Sequence, residues 1–124
     1  MQKINIQVNH QDERGVIIDL IENANINAIT FISLKKGAIR ANHYHKKTNQ
    51  WNYVIKGEIK LITQIGNDSK NEIILKKGDI ALTIPMEKHA LVALKDSEML
   101  AFTEGPRGGK EYESDTYRLE KPLV

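Results

Sequence analysis

Three of the four histidines in this chain fall where they could meet. His43 and His45 stand two residues apart in a run that reads as extended, GAIRANHYHKKTNQWNYVIKG over Gly37–Gly57. Residues i and i+2 of a strand share a face, so both imidazoles point the same way. His89, much later in the chain, is the natural third imidazole. Two chemistries suit such a set. Neutral imidazoles at i and i+2, joined by a third from another strand, form one face of a Zn, Fe, Mn or Ni site that would activate water or polarise a carbonyl. Histidine is also the side chain whose unperturbed pKa, about 6.5, fits it to pass protons near neutral pH. Gln50 opens the next strand-like run and, as a neutral amide, offers a metal only a weak oxygen ligand. His10 lies in a polar N-terminal stretch and reads as ordinary surface.

Short strands must position these groups. Apolar residues come in brief runs separated by turn signals such as Lys36-Gly37, Lys56-Gly57, Gly66-Asn67-Asp68, Lys77-Gly78-Asp79 and Lys95-Asp96, the spacing of an all-β domain. Strands are expected over Ile4–Val8, Val16–Leu20, Ile26–Leu34, Ile39–His45, Gln50–Lys56, Glu58–Ile65, Glu72–Leu75, Ile80–Ile84, His89–Leu94 and Met99–Thr103. The 124 residues are expected to form one domain, with a barrel core over about 15–103 and a loop and C-terminal tail over 104–124. If Gln50 faces the histidines, so do Asn52 and Val54, which leaves Trp51, Tyr53 and Ile55 outside. An aromatic outer stripe implies a homodimer interface, or else cover by the N-terminal strands of the same subunit. Strict alternation sets Arg40 and Lys46 on the face opposite the histidines, so they reach a site only through a bulge, the turn or a neighbouring subunit. The tail is rich in glycine and charge. Glu111, Glu113 and Asp115 read as a solvated face, Tyr112 and Tyr117 as tail packing, and the whole as a mobile terminus before a lid.

Gly37–Gly57 resembles the first signature of the cupin superfamily, G-x5-H-x-H-x4-E-x6-G. Gly37, His43, His45, Gln50 and Gly57 keep every spacing, with glutamine in place of glutamate. Gly78–His89 resembles the second signature: Gly78 and His89 keep their separation, Pro85 has slipped one place, Met86 stands at the family's glycine and Ala93 at its asparagine. The resemblance implies a double-stranded β-helix, or jelly-roll barrel, with the site in its mouth. The pattern Arg40, His43, His45, Lys46, Gln50, with Asp12-Glu13-Arg14-Gly15 near the start, is similar to one branch, the sugar-nucleotide 3,4-ketoisomerases and 3,5-epimerases of polysaccharide synthesis.

That branch implies an isomerase or epimerase acting on a nucleotide-linked keto sugar without a cofactor. His43 and His45 would move protons, Arg40 or Lys46 would hold the diphosphate, and Asn52 and His89 would contact substrate. A second reading is a metal-dependent cupin in which His43, His45, His89 and Gln50 hold a divalent ion for oxygenase or lyase chemistry. A third is a non-catalytic cupin that binds a sugar or another small polar ligand. Composition narrows the partners. The formal charge of +2 is small and the lysines are spread among acids, so nucleic acid is not expected. There is no cysteine, hence no thiolate metal site, and a cytoplasmic location is expected. No signal peptide and no membrane span are expected, because no run reaches roughly 18 consecutive apolar residues.

Overall fold

The computed structural model describes residues 1–106 and 114–124. Its strands are β1 (Gln2–Ile4), β2 (His10–Asp12), β3 (Gly15–Ile17), β4 (Ala28–Leu34), β5 (Ile39–Tyr44), β6 (Asn49–Lys56), β7 (Glu58–Ile65), β8 (Asn71–Lys76), β9 (Ile80–Thr83), β10 (Glu87–Ala93), β11 (Ser97–Glu104) and β12 (Tyr117–Arg118). The described residues form no helix, and so none long and apolar enough to cross a membrane. Two antiparallel five-stranded sheets, ordered β1-β9-β6-β11-β4 and β12-β5-β10-β7-β8, build the jelly roll; β2 and β3 form a separate hairpin.

Period-two alternation decides which side chains meet. Along β11, Ser97, Met99, Ala101 and Thr103 are buried while Glu98, Leu100 and Phe102 are half-buried on the other face. Along β6, Gln50, Asn52 and Val54 point inward and Trp51, Tyr53 and Ile55 lie half-buried outside. Both sheets contribute to one apolar cluster of Leu34, Val54, Ile59, Leu61, Leu75, Ala81, Leu91, Ala93 and Met99. Each large aliphatic side chain among them is worth about 1.5–3 kcal/mol of burial.

The interior changes character along the strands. Val54 gives way to Asn52 and Gln50 on β6, Leu61 to Thr63 on β7, Ala81 to Thr83 on β9, Leu91 to His89 on β10 and Met99 to Thr103 on β11. Register turns these into rows: Gln50 stands opposite Thr103 and Thr83, and His89 opposite His43 and Thr63. One end of the barrel is oily core and the other a polar floor.

Gly57 closes the β6–β7 hairpin at φ +88°, where a Cβ would stand 2.5 Å from the Asp96 carbonyl oxygen and 2.8 Å from Ser97 Cα. The expected strand Ile4–Val8 lies instead at Gln2–Ile4, paired to β9, and Val16–Leu20 stops at Ile17, where the chain leaves its hairpin partner. The Asp12-Glu13-Arg14-Gly15 stretch is that hairpin's turn. There Arg14 Nη2 donates to Asp12 Oδ2 at 2.6 Å and its backbone N–H to Oδ1 at 2.9 Å. The Arg14 guanidinium holds the Asp12 carboxyl down at about 2, with further help from His10.

Candidate active site

Strand β5 does not alternate cleanly, and the departure builds the site. His43 pairs with His89 but Ala41 pairs with Ala90, so Asn42 is one extra residue on β5. Ala41 and Asn42 both adopt left-handed backbone, at φ +71° and +55°, a region in which asparagine is tolerated better than most residues. The bulge shifts the phase of the strand by one residue. Beyond it Arg40 turns to the same side as His43 and His45, and all three line one cavity. The opposite-face placement that strict alternation implies for Arg40 is therefore corrected.

The three imidazoles pack ring against ring. His43 and His45 centroids are 4.8 Å apart, His43 and His89 4.6 Å and nearly perpendicular, and His45 and His89 5.2 Å. Two rings have their tautomer set by backbone carbonyls, which can only accept. His45 donates from Nδ1 to the Asp115 carbonyl oxygen at 2.8 Å, and His89 donates from Nδ1 to the Glu87 carbonyl oxygen at 3.1 Å. Both therefore carry their exchangeable lone pair on Nε2 when neutral, and neither Nε2 has a hydrogen-bond partner among the described residues. Burial pushes His89 down from 6.5 to about 4, the charge of a protonated His45 pushes the same way, and the Glu87 hydrogen bond opposes them. His89 is a neutral ring at neutral pH.

The C-terminal segment completes the wall. Strand β12 adds to β5 with Tyr117 opposite Tyr44 and Arg118 opposite His43, and Thr116 and Arg118 line the cavity. Asp115, expected in a solvated face, is 3% exposed. Its carboxylate accepts from the Lys46 N–H at 3.0 Å, the Lys47 N–H at 2.8 Å and the Thr48 hydroxyl at 2.8 Å. Burial works to raise its pKa, but the Thr48 hydroxyl, the two backbone N–H groups and His45 together hold it below the ordinary carboxylate value. Beyond β12, the Leu119 N–H donates to the Asn42 carbonyl oxygen at 2.9 Å and the Leu123 N–H to Asn42 Oδ1 at 2.8 Å. Leu123 is buried with Ile62 and Ala90. Residues 114–124 are thus a docked strap rather than a loose terminus. Glu111, Tyr112 and Glu113 lie outside the described residues.

The cavity holds about 210 Å³ between Ile32, Arg40, Ala41, His43, His45, Gln50, Leu91, Ala101, Thr116 and Arg118. Gln50 is 7% exposed and donates from Nε2 to Asn52 Oδ1 at 2.7 Å. Asn52, fully buried, donates in turn to the Ala81 carbonyl oxygen at 3.3 Å, so it lies behind Gln50 and off the cavity wall. His89 is likewise behind the first layer, at 1% exposure. Lys46 is not brought to the cavity; its ammonium sits 4.3 Å over the Tyr117 ring, which stacks on Tyr44 at 5.3 Å. His10 is exposed and bonds Asp12. Asp115, Thr116 and Arg118 escape a reading of sequence alone, because their partners lie about seventy residues away and no local pattern announces them. Asn42, a left-handed-tolerant residue between an arginine and a histidine, is the one faint signal of the bulge.

A metal can be tested against this donor set. The ligating nitrogens of His43, His45 and His89 lie within 4.8 Å of one another, and no carboxylate joins the group among the described residues. A tetrahedral ion bound at about 2.1 Å sets neighbouring nitrogens about 3.4 Å apart, so the rings would have to close in. After that contraction three imidazoles and the Gln50 amide oxygen suit a divalent ion.

The model of the polysaccharide biosynthesis C-terminal domain family matches residues 10–117. No curated protein matches the sequence. Among solved structures, the fold is similar to that of a 3,4-ketoisomerase from Helicobacter canadensis, at 21% identity over 95% of this chain and 90% of that one, with a TM-score of 0.77. It is similar to a sugar 3,4-ketoisomerase from Thermoanaerobacterium thermosaccharolyticum in complex with TDP, at 20% identity over 96% and 86%, TM-score 0.73. It is also similar to an epimerase from Mycobacterium tuberculosis, at 11% identity over 94% and 67%, TM-score 0.75.

Proposed function

The chain belongs to the polysaccharide biosynthesis C-terminal domain family, and on that premise we propose that it is a cytoplasmic, single-domain cupin that isomerises a nucleotide-linked 4-keto sugar. The observation that carries the reading is the histidine pair at the cavity wall with Arg40 swung onto the same face by the Asn42 bulge. The similarity of fold to two 3,4-ketoisomerases favours migration of the keto group over epimerisation.

The chemistry needs proton transfers and nothing else. In a 4-keto sugar the C4 carbonyl acidifies the proton on C3. One histidine of the pair takes that proton while O4 gains one, which gives the 3,4-enediol. Loss of the O3 proton and delivery of a proton to C4 then leave the carbonyl at C3, with no net proton gained or lost. His45 enters with Nδ1–H committed to Asp115, so its Nε2 is the nitrogen that exchanges. His43 shares the wall and takes the complementary step. His89, neutral because it is buried, does not hold the proton that the pair must pass on. No cofactor is required on this reading.

A cavity of about 210 Å³ is smaller than the roughly 300–1,000 Å³ that encloses a whole drug-sized ligand. The sugar fits inside and the nucleotide lies at the mouth. Guanidinium groups pair well with phosphate oxygens, which assigns the diphosphate to Arg40 and Arg118. Lys46 would have to leave Tyr117 to join them, and Asn52 serves by holding Gln50. The partner subunit is a second copy of this chain. The outer sheet face aligns Ile29, Phe102 and Trp51 in one row and Phe31, Leu100 and Tyr53 in the next, with Ile29 and Phe31 exposed. Such a face suits a homodimer.

The test is incubation with a TDP-linked 4-keto hexose, followed by NMR of the product. Appearance of the 3-keto isomer supports the reading; an inverted centre at C3 or C5 makes the protein an epimerase. A second reading rests on the His45 and His89 Nε2 atoms, which have no hydrogen-bond partner among the described residues: His43, His45, His89 and Gln50 would hold a divalent metal for oxygenase or lyase chemistry. Metal analysis of protein purified without added metal decides it, since a stoichiometric ion lost on His43→Ala would displace the metal-free isomerase. A chain that TDP stabilises against heat but that turns nothing over would be a binding module.

A further inference from the structure

We propose that Asp115 is a positioning residue for the proton-transfer step, acting through the docked C-terminal strap to hold His45 in the tautomer that leaves its Nε2 without a proton, next to the His43 and His89 rings. The proposal rests on the isomerase reading for its kinetic consequence and on geometry for its structural one. One residue makes two kinds of contact, and they are coupled. Its carbonyl oxygen accepts the His45 Nδ1–H at 2.8 Å. Its carboxylate meanwhile accepts from both N–H groups and the hydroxyl of the corner that directly follows His45, at Lys46, Lys47 and Thr48.

The division of labour has a physical reason. A neutral carbonyl fixes the ring's orientation and tautomer, while the formal charge is spent on three donors of the corner. Strand β12 is only two residues long and pairs with β5, and Tyr117 stacks on Tyr44 beneath the Lys46 ammonium. The far end of the strap is held through Asn42 and by Leu123 packed with Ile62 and Ala90. Asp115 is thus the near anchor, and the catalytic ring hangs from its backbone.

The experiment reads the tautomer directly by nitrogen NMR of histidine-labelled protein at a pH where the ring is neutral. His45 of the unaltered protein is expected as the Nδ1–H form; an Nε2–H form would overturn the proposal without any variant being made. Asp115→Asn keeps the size but turns an amide N–H towards a donor. It is expected to give a mixture of tautomers and to lower kcat by roughly ten- to a hundredfold. KM should stay within about threefold and the circular dichroism unchanged. Retention of both tautomer and kcat in that variant would refute the role. If Asp115→Asn does not fold, Thr48→Val removes one of the three anchoring donors and is expected to shift both readouts the same way, by less; no shift in either would refute it equally. The tautomer is read without substrate. Failure of the isomerase reading therefore leaves this point decided, and turnover by a protein with Nε2–H His45 would sink the positioning role alone.

Discussion

Replacing His89 by leucine is expected to remove the acid sensitivity that this buried ring contributes between pH 6.5 and about 4. Burial holds the folded His89 at about 4 against an ordinary 6.5. In the interval the unfolded chain binds a proton that the folded chain refuses, so stability rises with pH there and is fully present only above 6.5. At 1.36 kcal/mol per unit of pKa, that displacement amounts to about 3 kcal/mol, lost as the pH falls through the folded value. The leucine fills nearly the same volume in a site that is 1% exposed. It leaves the Glu87 carbonyl without its donor, a loss of about 1 kcal/mol that is the same at every pH. Urea unfolding followed by the fluorescence of Trp51, the single tryptophan, gives both curves. The variant should start lower at neutral pH and lose about 3 kcal/mol less on acidification. Curves that stay parallel to within about 1 kcal/mol would mean that His89 is not the dry, neutral ring described, and the reasoning from burial to protonation would fail with it.

Arg40→Ala should weaken TDP binding roughly ten- to a hundredfold, the loss of one charge-assisted hydrogen bond, with little change in kcat; calorimetry and steady-state kinetics check it. Met86 holds a left-handed φ of +70° and is half exposed, so Met86→Gly should raise stability by about 0.5–1 kcal/mol, read from thermal or urea unfolding. Phe31→Glu on the outer sheet face should convert a dimer to monomers in light scattering and leave the melting temperature of the monomer within a few degrees.

Much of this architecture is legible in the chain because its signal is local. Alternation along β6, β7 and β11 separates Gln50, Asn52 and Val54 from Trp51, Tyr53 and Ile55, and the H-x-H spacing puts two rings on one face. The misses share a cause too. Alternation has no way of announcing that Ala41 and Asn42 turn left-handed: taken strictly it sets Arg40 opposite the histidines, and which of bulge, turn or neighbour brings it round is fixed only by the register of β5 against β10. Strand β2, His-Gln-Asp, has no apolar period and is held by the Asp12–Arg14 turn. Asp115 looks like one acid among several because its three donors and its histidine belong to a corner on the other side of the sequence. Contacts that define this site are the long-range ones, and only their products, a dry histidine and a polar barrel end, leave local traces.

The central claim is tested most directly by following a TDP-linked 4-keto hexose in D2O with metal-stripped protein. The account predicts a 3-keto product with solvent deuterium at C4 and none at C5, and no such product with His43→Ala or His45→Ala. Unchanged substrate, or turnover that returns only when a divalent ion is restored, would contradict it.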